Sequence, residues 1–229
     1  MKTVAVFGGS YNPPHDGHFK TAAHVHGLFP LDEIWMMFSV NRLKDSSKYE
    51  SLKHRMAMGF LMAAHYPQVP FVMSDIEEKL GIHETWLVLN KMKALYPDHR
   101  FVWVMGADNL AVFDQWTHGD EIISNFPMVI IDRPPFTAQA LNSVMAQKYG
   151  HLRKSAPGDM DLSAPGWVMV DVQNPNSSGR LLERMRAGET KFEGPFQDVA
   201  DYIFQNGLYG FAKPAIPAQK PATPGPSGP

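Results

Sequence analysis

Residues Gly8 to His18 read GGSYNPPHDGH, directly after the apolar run TVAVF (Thr3 to Phe7). Two glycines let a backbone turn sharply and expose its N–H groups. Two prolines stiffen the loop beyond them, and Asp16 is placed to cap a helix in which Phe19, Ala22 and Ala23 share one face. The stretch is a strand, a tight loop and a helix N-terminus in succession. A turn alone does not need His15 and His18, three residues apart. A phosphate entering such a loop meets backbone amides, a helix start and two imidazole donors together. The loop lacks the G-x-x-x-x-G-K-S/T pattern of a P-loop and the G-x-G-x-x-G pattern of a dinucleotide fingerprint. A surface turn with solvated histidines accounts for the glycines and prolines only. A zinc site on the two histidines lacks a third ligand nearby. Phosphate chemistry is the reading favoured.

Working outward, short apolar runs alternate with helix-spaced stretches. Strands are expected at Thr3 to Phe7, Glu33 to Ser39, Val69 to Met73, Phe101 to Met105, Met128 to Asp132 and Trp167 to Val172. Most are nearly continuous in apolar residues, as in a parallel sheet covered on both faces. Helices are expected after Asp16, on the stripe Leu52, Met56, Phe60 and Ala63, and along ETWLVLNKMKALYP up to Pro97. This order predicts an α/β fold with a doubly wound, mostly parallel sheet, whose ligands bind beyond the carboxyl ends of the strands. Residues 136–166 interrupt the alternation and are expected to form a helix around AQALNSVMAQKYG and a loose surface loop. From Lys213 the chain carries six prolines in seventeen residues, which predicts a disordered or polyproline-like tail over 213–229.

Composition narrows the function. The chain has 229 residues, 44% of them hydrophobic and 19% charged, which fits one large globular domain over residues 1–212. A net charge of -2 offers no general attraction to nucleic acid or to an anionic membrane, so phosphate binding must be local. No cysteine is present, which excludes disulfides, thiolate zinc sites and a cysteine nucleophile. No secretory signal pattern or apolar run of membrane-spanning length occurs, and a soluble, cytoplasmic protein is expected.

The motifs then converge. GGSYNPPHDGH resembles the G-G-S/T-F-D/N-P-x-H-x-G-H signature of the nucleotidyltransferase superfamily. SVNRLK, FVWVMGADNLAVFDQW, VIIDRP and DYIFQNGLYG are similar to further stretches of the bacterial nicotinate-mononucleotide adenylyltransferases. The resemblance spans about residues 1 to 210 and implies a Rossmann-like fold. It also implies transfer of AMP from ATP to nicotinate mononucleotide, giving deamido-NAD and pyrophosphate in NAD biosynthesis. A phosphate monoester is already an adequate nucleophile, so alignment and charge stabilisation suffice and no side-chain base is required.

On this resemblance His15 and His18, as imidazolium donors, bind the ATP phosphates and the developing charge. Gly8, Gly9 and Ser10 give close backbone approach, and Lys44 and Arg55 add positive charge. Gly106 permits close approach, while Asp108, which also suits a helix N-cap, accepts hydrogen bonds from a ribose or adenosine. Asn12, Thr85 and Trp116 are implied on the mononucleotide side. Mg2+ is implied as a companion of ATP, held among phosphates and water rather than in a carboxylate cage. The partners implied are ATP and a pyridine mononucleotide, without nucleic acid or membrane. The other histidines, His24, His26, His54, His65, His83, His99, His118 and His151, read as surface or helix residues.

Two stretches depart from the family pattern. Where it has I-S-S-T-x-x-R, this chain reads NPNSSGRLLER: Ser177 and Ser178 stay as phosphate-site candidates, Gly179 replaces the threonine, and Leu182 stands at the arginine. Arg180 and Arg184 flank that position, each about 200° away around a helix. Arg180 is carried as a phosphate-site candidate. Where the family has T-x-D-T-L, this chain keeps Thr85 but has Leu87 and Val88. A related transferase acting on nicotinamide mononucleotide or another phosphorylated acceptor, and a non-catalytic nucleotide-binding homologue, are the alternative readings.

Overall fold

A computed structural model describes residues 1–39, 49–172 and 177–213. Six strands, β1 (Lys2–Gly9), β2 (Glu33–Phe38), β3 (Phe71–Ser74), β4 (His99–Gly106), β5 (Pro127–Asp132) and β6 (Gly166–Asp171), form one sheet. Their order is β3-β2-β1-β4-β5-β6, and every pairing is parallel. The chain winds outward from β1 in one direction, then returns to start again at β4. Beyond the carboxyl ends of β1 and β4 the crossovers part, which opens a crevice.

Side chains alternate across the sheet with the period of two that a strand imposes. Ala5, Phe7, Met36 and Val104 point to a core shared with α1 (Asp16–Leu28), α2 (Leu52–Ala63), α9 (Ser178–Arg186) and α10 (Phe196–Asn206). Val6, Trp35, Trp103 and Met105 point to the opposite core. That second core is closed by α3 (Ile76–Leu80), α4 (Thr85–Leu95), α5 (Ala107–Leu110), α6 (Gly119–Asn125), α7 (Thr137–Leu141) and α8 (Val144–Lys148). Covering on both faces is why the strands are continuously apolar. No helix of the described residues is long and apolar enough to cross a membrane.

Several expected boundaries move, each for a local reason. Strand β1 runs through both glycines, which pair with Met37 and Phe38 of β2, so the turn begins at Ser10. A Cβ on Gly8 would lie 2.6 Å from Trp103, and one on Gly9 2.8 Å from the Tyr11 ring. The glycines are thus required by packing as well as by an open backbone. Helix α1 begins one residue earlier than expected: His15 is its N-cap, and Asp16 is its first residue. The Asp16 carboxylate instead accepts from the Tyr66 hydroxyl at 2.6 Å and pairs with Lys20 at 2.5 Å. The single helix expected after Phe136 is two, because the Ser143 side chain accepts the Ala146 N–H at 3.2 Å and starts α8 afresh. The stretch beyond α8 is anchored, not loose, at Leu162, which is buried in the core beside α9 and α10. Of the proline-rich tail, residues 214–229 lie outside the described residues.

Candidate active site

The loop from Ser10 to His15 joins β1 to α1 and is fixed from three directions. Arg55, buried on α2, donates to the backbone carbonyls of Ser10 at 2.6 Å, Ser39 at 3.0 Å and Glu50 at 3.0 Å. Its guanidinium therefore ties the loops after β1 and β2 together and is not available as the phosphate-binding charge expected of it. Tyr11 sits at φ 44°, in the left-handed region that a bulky residue enters only when held there. Its hydroxyl donates to the Phe7 carbonyl at 2.7 Å, and its ring meets His18 edge-on at 5.0 Å. From the third side, Ser178 of α9 donates its hydroxyl to the Pro13 carbonyl at 2.8 Å.

His15 and His18 lie with their rings stacked, centroids 3.7 Å apart. His18 faces the cavity over the crevice, and His15 is buried behind it. Burial lowers His15 to about 4, aided by Arg133 and opposed by Asp16. Burial, then His15 and Arg133, hold His18 well below the usual histidine range. Two stacked imidazoles cannot both carry charge in so little water, and without ligand the pair is neutral rather than imidazolium as expected. The Nδ1 of His18 accepts the His15 backbone N–H at 3.2 Å, which leaves its ring proton on Nε2.

The cavity has a volume of about 880 Å³ and spans the carboxyl edge of the sheet. Gly8, Gly9, Ser10 and His18 form one wall, and Gly106 and Asp108 a second. Thr85 and Trp116 line it from the side of α4 and α6. A Cβ on Gly106 would lie 2.3 Å from Asp108 Oδ1, so only glycine lets that carboxylate fold back over the end of β4. Among the described residues Asp108 Oδ1 is buried without a hydrogen-bond partner, and Arg133 lies 3.7 Å from it.

Other candidates are placed elsewhere. The Asn12 Oδ1 accepts from the Glu50 N–H at 3.1 Å and the Tyr209 hydroxyl at 3.0 Å, and Asn12 does not line the cavity expected to hold the mononucleotide. Ser177 caps α9 by accepting the Arg180 N–H, and Ser178 is engaged with Pro13. Neither serine lines the cavity, nor does the exposed Arg180. Leu182 points into the core, where an arginine could not follow. Arg184 pairs with Glu189 and lies over the Phe192 ring. Lys44 lies outside the described residues.

Several lining residues escaped the sequence reading, Arg133 and His83 among them. Arg133 follows β5 at the carboxyl edge of the sheet and lines the cavity. Its signal was available: a charged residue at the end of a buried strand, inside VIIDRP. His83, read as a surface or helix residue, also lines the cavity, and no motif marks it.

Comparison with known proteins agrees with this fold. A model of the cytidylyltransferase-like family matches residues 6–179. A probable nicotinate-nucleotide adenylyltransferase of Agrobacterium fabrum is 39% identical over 171 residues, covering 73% of this chain and 90% of that one. The protein of the same description in Caulobacter sp. is 37% identical over 190 residues, covering 81% and 99%. The chain belongs to the cytidylyltransferase-like family, on its nicotinate-nucleotide adenylyltransferase branch. A solved Plasmodium falciparum nicotinic acid mononucleotide adenylyltransferase, complexed with NaAD, shares the fold. Its TM-score is 0.65 at 18% identity, over 93% of this chain and 99% of that one. The family supports the adenylyl-transfer fold and ligand class; the residue roles rest on the geometry of the cavity.

Proposed function

We propose that this chain is a nicotinate-nucleotide adenylyltransferase: it transfers AMP from ATP to nicotinate mononucleotide, forming deamido-NAD and pyrophosphate. One phosphate oxygen of the mononucleotide attacks the α-phosphorus of ATP. The bond from that phosphorus to the bridging oxygen breaks, and pyrophosphate leaves with the electron pair. The carrying observation is a single cavity at the β1/β4 switch point that joins the His18 loop, Asp108, Arg133, Thr85 and Trp116.

Each residue has a task that its position supports. The backbone of Gly8 to Ser10 and the Nε2–H of His18 face the triphosphate, with His15 stacked behind to hold the ring. With Nδ1 occupied as the acceptor of the His15 N–H, His18 donates from Nε2 as a neutral ring. Arg133 takes the part that the family gives to the arginine replaced by Leu182, as a cation on the cavity wall whose partner Asp108 is 3.7 Å away. Asp108 accepts from a ribose hydroxyl, satisfying its buried Oδ1. Thr85 and Trp116 flank the pyridine ring. Magnesium arriving with ATP would supply the remaining positive charge. Its ligands would be phosphate and water oxygens, with Asp108 the carboxylate on that wall of the cavity.

Incubation of the protein with ATP, magnesium and nicotinate mononucleotide should yield deamido-NAD and pyrophosphate in a one-to-one ratio, read by mass spectrometry and a coupled pyrophosphate assay. ATP binding without either product would overturn the reading.

A further inference from the structure

Among the described residues, buried polar atoms without a hydrogen-bond partner occur on His15, His83, His99, Trp103 and Asp108. Three of these five, His83, Trp103 and Asp108, line the cavity, and His15 stacks on a fourth lining residue, His18. Orphaned polar atoms are rare in folded proteins, and their gathering around one cavity marks groups that await a ligand. His83 is the extreme case, because both Nδ1 and Nε2 are buried and neither has a partner. An imidazole always carries at least one N–H donor, and in its neutral form one acceptor.

Position says which end of a ligand His83 meets. It stands two residues before Thr85, where α4 begins, and its neighbour Ile82 packs against the core that Trp116 also borders. Helix α1, which carries His18, packs on the opposite face of the sheet. His83 therefore meets the end of the ligand remote from the reacting phosphates. Glu77 and Glu84 line the cavity as well, so an anionic substituent arriving at that end needs a donor to offset their charge.

We propose that His83 reads the carboxyl substituent of the pyridine ring, donating a ring N–H to the nicotinate carboxylate and setting the preference for carboxylate over carboxamide. The inference rests on the proposed adenylyl transfer.

The test compares wild type, His83→Ala and His83→Gln, with thermal melts confirming that each variant is folded. Affinity for nicotinate mononucleotide and for nicotinamide mononucleotide is measured by calorimetry without turnover, and KM and kcat for both in the pyrophosphate assay. His83→Ala should weaken the nicotinate compound about tenfold or more, through Kd and KM with kcat less affected, and the nicotinamide compound by less than about twofold. His83→Gln, which keeps a donor, should recover part of the loss. Equal weakening of both compounds would assign His83 to ribose or phosphate and overturn the proposal, as would a loss confined to the nicotinamide compound or no loss at all. Failure of wild type to release pyrophosphate, with selective binding intact, would overturn the enzymatic reading and leave His83 as the carboxylate reader. Failure of wild type to bind either compound would overturn both.

Discussion

His15 and His18 are held ready as neutral rings, and that state has a measurable signature. The folded value of His15, about 4, lies below the 6.5 of an unperturbed histidine. Between those pH values the unfolded chain binds more protons than the folded one, so stability rises with pH in that window. It is complete above about pH 6.5 and is lost as the pH falls towards 4. Urea melts across this range should show a steeper loss in wild type than in His15→Ala; equal slopes would contradict a buried neutral imidazole. Sequence alone made the pair visible, because a turn asks for the glycines and prolines of this loop but not for two histidines three apart. Its ionisation was not visible, since burial in the folded chain and the nearness of Arg133 depend on residues far apart in sequence. The same limit applies to Arg55 and Ser178. A cation near a phosphate loop reads as a phosphate ligand, until its donors are found on the carbonyls of Ser10, Ser39 and Glu50. His83 left no trace, because what distinguishes it is the lack of partners for its nitrogens.

At the scale of elements, all six strands could be read from their apolar runs, because burial on both faces writes itself into the sequence. Ends were less legible. The glycines were taken for a turn but complete β1, and Ser143 divides an otherwise plausible helix. The least legible feature is the hold of the C-terminal segment on the loop between β1 and α1. Tyr209, at φ 54° between two glycines of positive φ, donates its N–H to Glu50 at 2.6 Å and its hydroxyl to Asn12 at 3.0 Å. Asn12 in turn accepts the Glu50 N–H, so three segments far apart in the chain close one polar knot beside the loop. Tyr209→Phe removes only the hydroxyl and should cost about 1 kcal/mol of stability in urea unfolding. An unchanged midpoint would show that the knot is not a stabilising contact.

For the molecule as a whole, the strand order β3-β2-β1-β4-β5-β6 decides where chemistry can occur. It parts the crossovers beside β1 and brings together two groups from opposite faces. One is the loop into α1, with its histidines. The other comprises the residues before α4 and around Trp116, on the side of the second core. Arg133, at the end of β5, stands at the edge between them. On the proposed function, ATP and a mononucleotide meet over that edge with their reacting phosphates beside His18 and the pyridine ring beside Trp116. The arginine that the family places on the helix corresponding to α9 is absent, and Leu182 fills core space instead. On the proposed function His18 acts on the phosphates without that arginine. The measurement that tests it most directly is the rate of pyrophosphate release from ATP and nicotinate mononucleotide, wild type beside His18→Ala at saturating substrate. A fall of about a hundredfold or more in kcat, with the melting temperature kept, is the result predicted. Equal rates in the two proteins would contradict it.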